Sequence, residues 1–224
     1  MKRGVVISIV VLGMIFIFFA LVGGFIYMQF TQEPYIPANA YLKINLAGDI
    51  VDSENTAFSK KDSIRDFWFQ IKRAKIDNRI KGIVIKISYL GGDFAKIEEL
   101  GRLLKDFRSN GKKVLAYIES GGLREYYLAT FADKIYVFKG GNFSLSGLAM
   151  ESLFLKNTFS KLGIEAQIFH IGDYKTASNT FTEDHMTPAH QESIQKLLDD
   201  IFAYTIQQIA VNRKLESDSV KTVI

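Results

Sequence analysis

The chain lacks cysteine and carries little net charge. None of its 224 residues is a cysteine, which excludes a disulfide framework, a zinc site built from thiolates, an iron–sulfur cluster and a cysteine nucleophile. The 28 Lys and Arg residues and 24 Asp and Glu residues leave a formal net charge of +4. Lys2 and Arg3 supply two of those charges ahead of a hydrophobic run, so the rest of the chain is nearly balanced. This balance gives no sign of a nucleic-acid-binding surface, and we expect no nucleic-acid partner.

The hydrophobic run over residues 4–28 contains no charged residue. It exceeds the ~20 apolar residues that a helix needs to cross a bilayer and the ~7–15 of a secretory signal core. We therefore predict a membrane anchor over residues 1–30 and a spacer over residues 31–40; a signal cleaved near Ala38-Asn39-Ala40 is the alternative. Lys2 and Arg3 predict a cytoplasmic N-terminus by the positive-inside rule. The expected product is a single-pass protein of the cytoplasmic (inner) membrane, with the rest of the chain on the extracytoplasmic, periplasmic side.

Beyond the spacer, segments with strand periodicity alternate with segments of helical periodicity. Strands are predicted over residues 41–46, 80–87, 114–118, 135–138 and 166–171. Helices are predicted over residues 63–75, 94–110, 126–131 and 153–162, and from Pro188 to about Lys214 after the N-cap candidate Thr187. Strands that alternate with helices require a mostly parallel sheet covered by helices, so the predicted fold class is α/β.

Three loops that follow predicted strands carry the candidate functional residues, because open α/β sheets place their sites beyond the carboxyl ends of strands. Gly91 and Gly92 either turn backbone N–H groups toward an anion or simply permit a tight turn. Ser120 is either a nucleophile or a turn serine that bonds its own backbone. Lys175 follows the predicted 166–171 strand; a desolvated lysine can act as a general base, whereas most lysines are solvated.

The three histidines do not form a metal-binding pattern. His170, His185 and His190 lack the spacing of known metal-ligand motifs, and we interpret them as surface residues. We therefore expect no metal and no organic cofactor.

Five stretches of the chain, in order, resemble the signal peptide peptidase A family of membrane-anchored peptidases with a Ser-Lys dyad. They are GIVIKISYLGGD (82–93), EYYLATFADKIYVF (125–138), SLSGLAMES (144–152), LGIEAQIFHIGDYKTASNTFTEDHMTPAH (162–190) and IAVNRKL (209–215). The similarity is to the first, lysine-bearing repeat of the long two-repeat form. It implies a crotonase- or ClpP-like parallel sheet with flanking helices over residues 41–224, in a peptidase domain expected to be incomplete at its C-terminus.

The resemblance also assigns roles to individual residues. It makes Lys175 the dyad lysine, and Gly91 and Gly92 the pair that binds the substrate main chain and stabilises the oxyanion. Family members with a complete dyad in one domain place the nucleophile three residues before the first tyrosine of a Tyr-Tyr pair; that position here is Leu123. Ser120, which is followed by Gly121 and Gly122, matches the Ser-Gly-Gly part of the motif but lies three residues before that position. In the long form, the second repeat supplies the serine.

These features predict a serine-type peptidase that hydrolyses signal peptides or other membrane-derived peptides through an acyl-enzyme. Lys175 would be its general base, and the serine would come from a second serine-bearing repeat or from a neighbouring subunit of a homo-oligomer. Two alternatives remain. One is a non-catalytic, membrane-tethered scaffold subunit, which the missing serine supports. The other is a crotonase-like acyl-CoA enzyme, which shares the fold but gives no reason for an anchor.

Overall fold

A computed structural model describes residues 2–31, 35–52 and 63–224 of the chain. The chain divides into two compact units, Met1–Ala38 and Asn39–Ile224. The first unit contains helix α1 (Lys2–Thr31), whose segment Val10–Met28 is long and apolar enough to cross a membrane. A signal sequence near the N-terminus would have the same properties. Residues 32–34 of the predicted spacer lie outside the described residues.

The second unit is built on a four-stranded parallel sheet. The strands are β1 (Ala40–Asp49), β2 (Ile80–Gly91), β3 (Lys113–Ser120) and β4 (Lys134–Val137), and they lie in the order β1-β2-β3-β4. The connections contain helices α2 (Ile64–Ile76), α3 (Phe94–Arg108) and α4 (Leu123–Ala129). The prediction of an α/β fold with a parallel sheet and flanking helices is therefore confirmed.

The second half of this unit is mainly helical. It contains α5 (Lys156–Lys161), a 3-10 turn (Thr176–Ser178), α6 (Asn179–Thr182), α7 (Pro188–Arg213) and α8 (Ser217–Val223). Helix α7 begins as predicted, because the Thr187 hydroxyl accepts a hydrogen bond from the backbone N–H of His190 and Pro188 occupies the first turn. It ends at Arg213, and the capping residue that follows, Lys214, adopts a left-handed conformation with φ of 57°.

The hydrophobic core lies on one face of the sheet. Alternate side chains of the central strands are completely buried there: Ile83, Ile85 and Ile87 in β2, and Val114, Ala116 and Ile118 in β3. Helix α3 contributes Ile97, Leu100, Leu104 and Phe107 to the same core. Burial of each large aliphatic or aromatic side chain contributes about 1.5–3 kcal/mol. The intervening strand positions, such as Val84 and Tyr117, are only partly buried. Because all four strands are parallel, their carboxyl ends meet at one edge of the sheet.

Three local predictions differ from the structure. Residues 166–171 do not form a strand, and Phe169 and Ile171 are 95% and 89% exposed. The apolar side chains of this segment are suited to burial, but within the described residues no strand pairs with it. The helix predicted over 126–131 begins earlier, at Leu123. The helix predicted over 153–162 is shorter, at Lys156–Lys161.

Candidate functional site

Two turns lie side by side at the carboxyl edge of the sheet. We call Leu90-Gly91-Gly92 the β2 turn and Ser120-Gly121-Gly122 the β3 turn. The strands leading into them are hydrogen-bonded neighbours, and Ser88 is in register with Ser120. The hydroxyl oxygens of these two serines are 2.9 Å apart and share a hydrogen bond. The structure thus brings together two of the three loops that the sequence singled out.

The β2 turn is preceded by a strained bulge. The pairing of β2 with β1 skips Tyr89, since Ala47 pairs with Ser88 and Gly48 with Leu90, and Tyr89 has a φ of 39°. A left-handed conformation costs a residue other than glycine about 1–3 kcal/mol and persists only where the surroundings enforce it. Bulges of this kind are common beside functional sites, where they redirect a strand end.

Gly91 lies close to a neighbouring strand. It pairs with Asp49 of β1, and a Cβ atom at position 91 would collide with the Asp49 carboxylate. Gly92 adopts a φ of 86°, which favours glycine. The backbone of Gly92 therefore agrees with the interpretation of this pair as a tight turn. Its role in stabilising an oxyanion stays a prediction.

Glu125 is a buried carboxylate that joins the two turns. Its side chain is only 5% exposed, and it occupies the first turn of α4. The N–H of Leu90 donates to Oε1 over 2.5 Å, and the N–H of Gly122 donates to Oε2 over 2.6 Å. Sequence analysis did not identify this residue. The available signal was a glutamate three residues after Gly122, the spacing at which an acidic side chain reaches back to the helix start.

Ser120 has no described base beside it. Its hydrogen bond to Ser88 is the contact described above, and the nearby Lys86 ammonium lies 2.9 Å from the Glu119 carboxylate instead. Leu123, which occupies the position counted back from the tyrosine pair, is an aliphatic side chain with 6% exposure. An aliphatic side chain cannot attack a carbonyl, so neither position offers an activated nucleophile in this geometry.

Lys175 lies in the loop directly before the 3-10 turn. Its side chain is exposed, and in the part of the chain that the structure describes no group accepts a hydrogen bond from its ammonium. The strand predicted over residues 166–171, just before this loop, is not formed. The adjacent Tyr174 is held to α7, because its hydroxyl donates to Glu192 over 2.8 Å. This hydrogen bond raises the pKa of Tyr174.

The histidines are distributed over separate places. His170 and His185 are exposed, as expected, and His185 contacts Asp184, which lowers the pKa of that carboxyl group. The surface interpretation is wrong for His190, which is half-buried against the Phe154 ring at a centroid distance of 6.0 Å. Residues 2–31, 35–52 and 63–224 contain no group of three or more His, Asp or Glu side chains that could hold a metal ion.

The solved structures with a similar chain path have low sequence identity and low TM-scores. Pseudomonas aeruginosa DspI matches with a TM-score of 0.33 and 13% identity, over 74% of this chain and 75% of that chain. An enoyl-CoA hydratase/isomerase family protein from Silicibacter pomeroyi matches with a TM-score of 0.28 and 13% identity, over 71% of this chain and 83% of that chain. At such scores the assignment of the fold rests on the observed sheet and on the family.

Sequence relatives are closer. "Protease 4" of Salmonella typhi is 30% identical over 92% of this chain and 36% of the relative. "Protease 4" of Haemophilus influenzae is 27% identical over 97% of this chain and 38% of the relative. The chloroplastic serine protease SPPA of Arabidopsis thaliana is 31% identical over 72% of this chain and 24% of the relative. The chain thus spans little more than a third of the length of the two Protease 4 relatives.

The family comparison covers the part of the chain that holds the β3 turn and Lys175. The model of peptidase family S49 matches residues 106–223, which include Ser120, Glu125 and Lys175. This chain belongs to peptidase family S49.

Proposed function

We propose that this chain is the lysine-bearing part of a membrane-anchored serine-type endopeptidase. Lys175 acts as the general base, and the nucleophilic serine comes from a second repeat or from a neighbouring subunit. The observation that carries the proposal is the match of peptidase family S49 to residues 106–223, a range that includes Lys175. The relatives that bear protease names support the same reaction class.

The chemistry follows from the properties of an amine and a hydroxyl. The Nζ atom of an unprotonated Lys175 takes the hydroxyl proton of the serine as its oxygen attacks the scissile carbonyl carbon. The resulting oxyanion accepts hydrogen bonds from backbone N–H groups, a role that fits the β2 turn with Gly91 and Gly92. The protonated lysine then returns its proton to the leaving amine, and water hydrolyses the acyl-enzyme. The proposed substrates are signal peptides or other membrane-derived peptides.

The surroundings of Lys175 support a catalytic site that is shared with a second repeat or subunit. An ammonium group in water stays protonated at neutral pH and cannot act as a base, whereas desolvation favours the neutral amine. Ile168, Phe169 and Ile171, which precede Lys175, expose large apolar surfaces. A second repeat or subunit packed on these side chains would bury them and dehydrate the lysine in the same step.

The membrane arrangement is part of the proposal. Helix α1 would anchor the chain in the cytoplasmic membrane, with Asn39–Ile224 on the extracytoplasmic side. The length and composition of Val10–Met28 support an anchor. This location would place the site close to peptides released from the membrane.

A non-catalytic scaffold is the second candidate. The buried Leu123 and the Ser88–Ser120 hydrogen bond favour it, since neither position holds an activated serine. The acyl-CoA enzyme remains a prediction that a binding measurement tests: binding of an acyl-CoA to the purified chain would count against the peptidase proposal.

A fluorophosphonate probe separates these candidates. The detergent-purified chain is treated with the probe alone and together with a polypeptide that carries the serine-bearing repeat, and the labelled serine is located by peptide mass spectrometry. We expect labelling only in the mixture, on the added serine, and we expect Lys175→Ala to remove it. Lys161→Ala, a change of an exposed lysine on α5, is the matched control. Labelling of Ser120 would indicate a self-sufficient enzyme, and no labelling with any partner would favour the scaffold.

A further inference from the structure

Glu125 is a buried carboxylate whose donors are backbone N–H groups. Its recorded hydrogen bonds come from Leu90 and Gly122, and among the described residues no lysine or arginine forms an ion pair with it. The neighbouring Arg124 points elsewhere, toward the carbonyl of Leu90 and the Phe94 ring. A buried charge is costly unless it is compensated, so both N–H groups must stay in place for the carboxylate to remain buried.

The two donors belong to different turns. Leu90 lies 35 positions before Glu125 and belongs to the β2 turn, while Gly122 belongs to the β3 turn three positions before it. Each donor is bonded to a different oxygen of the carboxylate, so the carboxylate fixes the distance between the two turns. The N–H of Leu90 follows directly on the left-handed Tyr89, and this bulge interrupts the regular pairing with β1, where Ala47 pairs with Ser88 and Gly48 with Leu90. The hydrogen bond to Glu125 therefore stabilises a backbone conformation that Tyr89 would not adopt by itself.

We propose that Glu125 is a positioning residue for the β2 turn. Its carboxylate holds the bulge at Tyr89 and so fixes the direction in which the N–H groups of Gly91 and Gly92 point. The role in substrate binding rests on the proposed peptidase function, whereas the effect on the turn does not. Glu125 acts through the backbone of the turn and does not itself contact the substrate.

The effect on the turn is tested in the chain alone. Glu125→Gln replaces one carboxylate oxygen with an NH₂ group, which cannot accept a hydrogen bond from either N–H. We expect amide hydrogen exchange at Leu90, Gly91 and Gly92 to accelerate by about tenfold or more, the effect of losing one hydrogen bond to a charged acceptor. Glu99→Gln, a change of an exposed carboxylate on α3, is the matched control. Unchanged exchange in the β2 turn of the Glu125 variant would overturn the proposal.

A second change tests the link to the bulge. Tyr89→Gly removes the steric cost of the left-handed conformation, and the Tyr89 side chain is 56% exposed, so little packing is lost. If Glu125 enforces this conformation, Glu125→Gln should lower the thermal midpoint more in the Tyr89→Gly background than in the wild-type background, because only in the wild type does loss of the hydrogen bond also relieve the strain at Tyr89. Equal losses in both backgrounds would mean that the carboxylate and the bulge are independent.

Peptide hydrolysis by the complete assembly separates positioning from plain stability. With a fluorogenic peptide, Glu125→Gln should lower kcat by about tenfold and change KM little, because the turn donates to the oxyanion, which forms only in the transition state. Lys175→Ala should instead abolish kcat. An unchanged kcat with a lower melting temperature would reduce Glu125 to a structural residue. If wild-type assemblies hydrolyse no peptide, the proposed function fails, while the exchange results still decide whether Glu125 fixes the turn.

Discussion

Helix α7 is hydrogen-bonded to helix α3 through the carboxylate of Glu98, a residue of α3. The Tyr204 hydroxyl of α7 contacts both carboxylate oxygens, at 2.7 Å and 2.8 Å. Arg102, one turn along α3, donates to the same group over 2.6 Å. Helix α7 also holds the loop of Lys175 through the Tyr174–Glu192 hydrogen bond. We therefore predict that Glu98→Gln loosens α7 and with it the attachment of that loop.

The expected size of the effect follows from exposure. A hydrogen bond to a charged group contributes about 1.5–3 kcal/mol when it is buried, and an exposed helix ion pair contributes about 0.3–0.5 kcal/mol. The Glu98 side chain is 17% exposed, whereas the side chain of Arg102 is 74% exposed. Glutamine keeps one acceptor oxygen but loses the charge. We expect Glu98→Gln to lower the free energy of unfolding by about 1–2 kcal/mol near neutral pH.

The pH dependence identifies the carboxylate as the cause. Burial raises the pKa of Glu98, but the hydrogen bonds from Tyr204 and Arg102 outweigh burial, and the net pKa is below the usual value of 4.5. A carboxyl group with a lowered folded-state pKa stabilises the fold above its unfolded-state pKa and loses that contribution as the pH falls through the folded-state value. The difference between wild type and variant should therefore be complete at pH 7 and vanish in acid.

Urea unfolding of the detergent-purified chain at a series of pH values measures this difference. Glu99→Gln, a change of the exposed neighbour on the same helix, is the control and should alter the unfolding free energy little. Tyr204→Phe should cost a similar amount, and the double variant should cost less than the sum. Equal stability of the Glu98 and Glu99 variants at pH 7, or a difference that persists in acid, would refute this account of the contact.

Three further predictions concern the proposed base, the core and a helix start. Lys175→Ala should abolish peptide hydrolysis in the complete assembly and leave the circular dichroism spectrum unchanged; unaltered turnover would remove the lysine from the mechanism. Gly101→Ala should lower the unfolding free energy by about 1 kcal/mol. A Cβ atom at position 101 would lie 2.5 Å from the Phe131 ring, and this overpacking outweighs the gain in helix propensity. A variant that is more stable in urea unfolding would contradict this prediction. Thr187→Ala should cost about 1 kcal/mol in the same assay through loss of the α7 cap, and no loss would mean that the cap is dispensable.

The central strands and the helices between them could be predicted from the sequence. Residues such as Ile83, Ile85 and Ile87 alternate because one face of β2 is buried, and this period is visible without any knowledge of the fold. The start of α7 could also be predicted from the sequence, because Thr187 and Pro188 satisfy the requirements of the first helical turn locally. These are features in which local sequence and tertiary packing demand the same residues.

The candidate site was less predictable, because its contacts are non-local. The apolar pattern of residues 166–171 indicates that the side chains are suited to burial, but not which surface would cover them. Counting from the tyrosine pair identified Leu123 as a missing serine. It could not reveal that Glu125, two positions later, reaches the backbone of Leu90. A contact of that kind depends on the register between β2 and β3 and on the bulge at Tyr89, neither of which has a sequence signature here.

The same carboxylate bears on where the nucleophile of the proposed peptidase comes from. An oxyanion formed by attack of Ser120 would need backbone donors beside it, and the N–H groups of Leu90 and Gly122 are already bonded to Glu125. A substrate would have to displace a buried carboxylate to use them, at the cost of leaving that charge without its donors. Among the described residues, no side chain accepts a hydrogen bond from the N–H groups of Gly91 and Gly92. Under the proposed function, this difference favours an acyl-enzyme on a serine brought to the β2 turn from a second repeat or subunit.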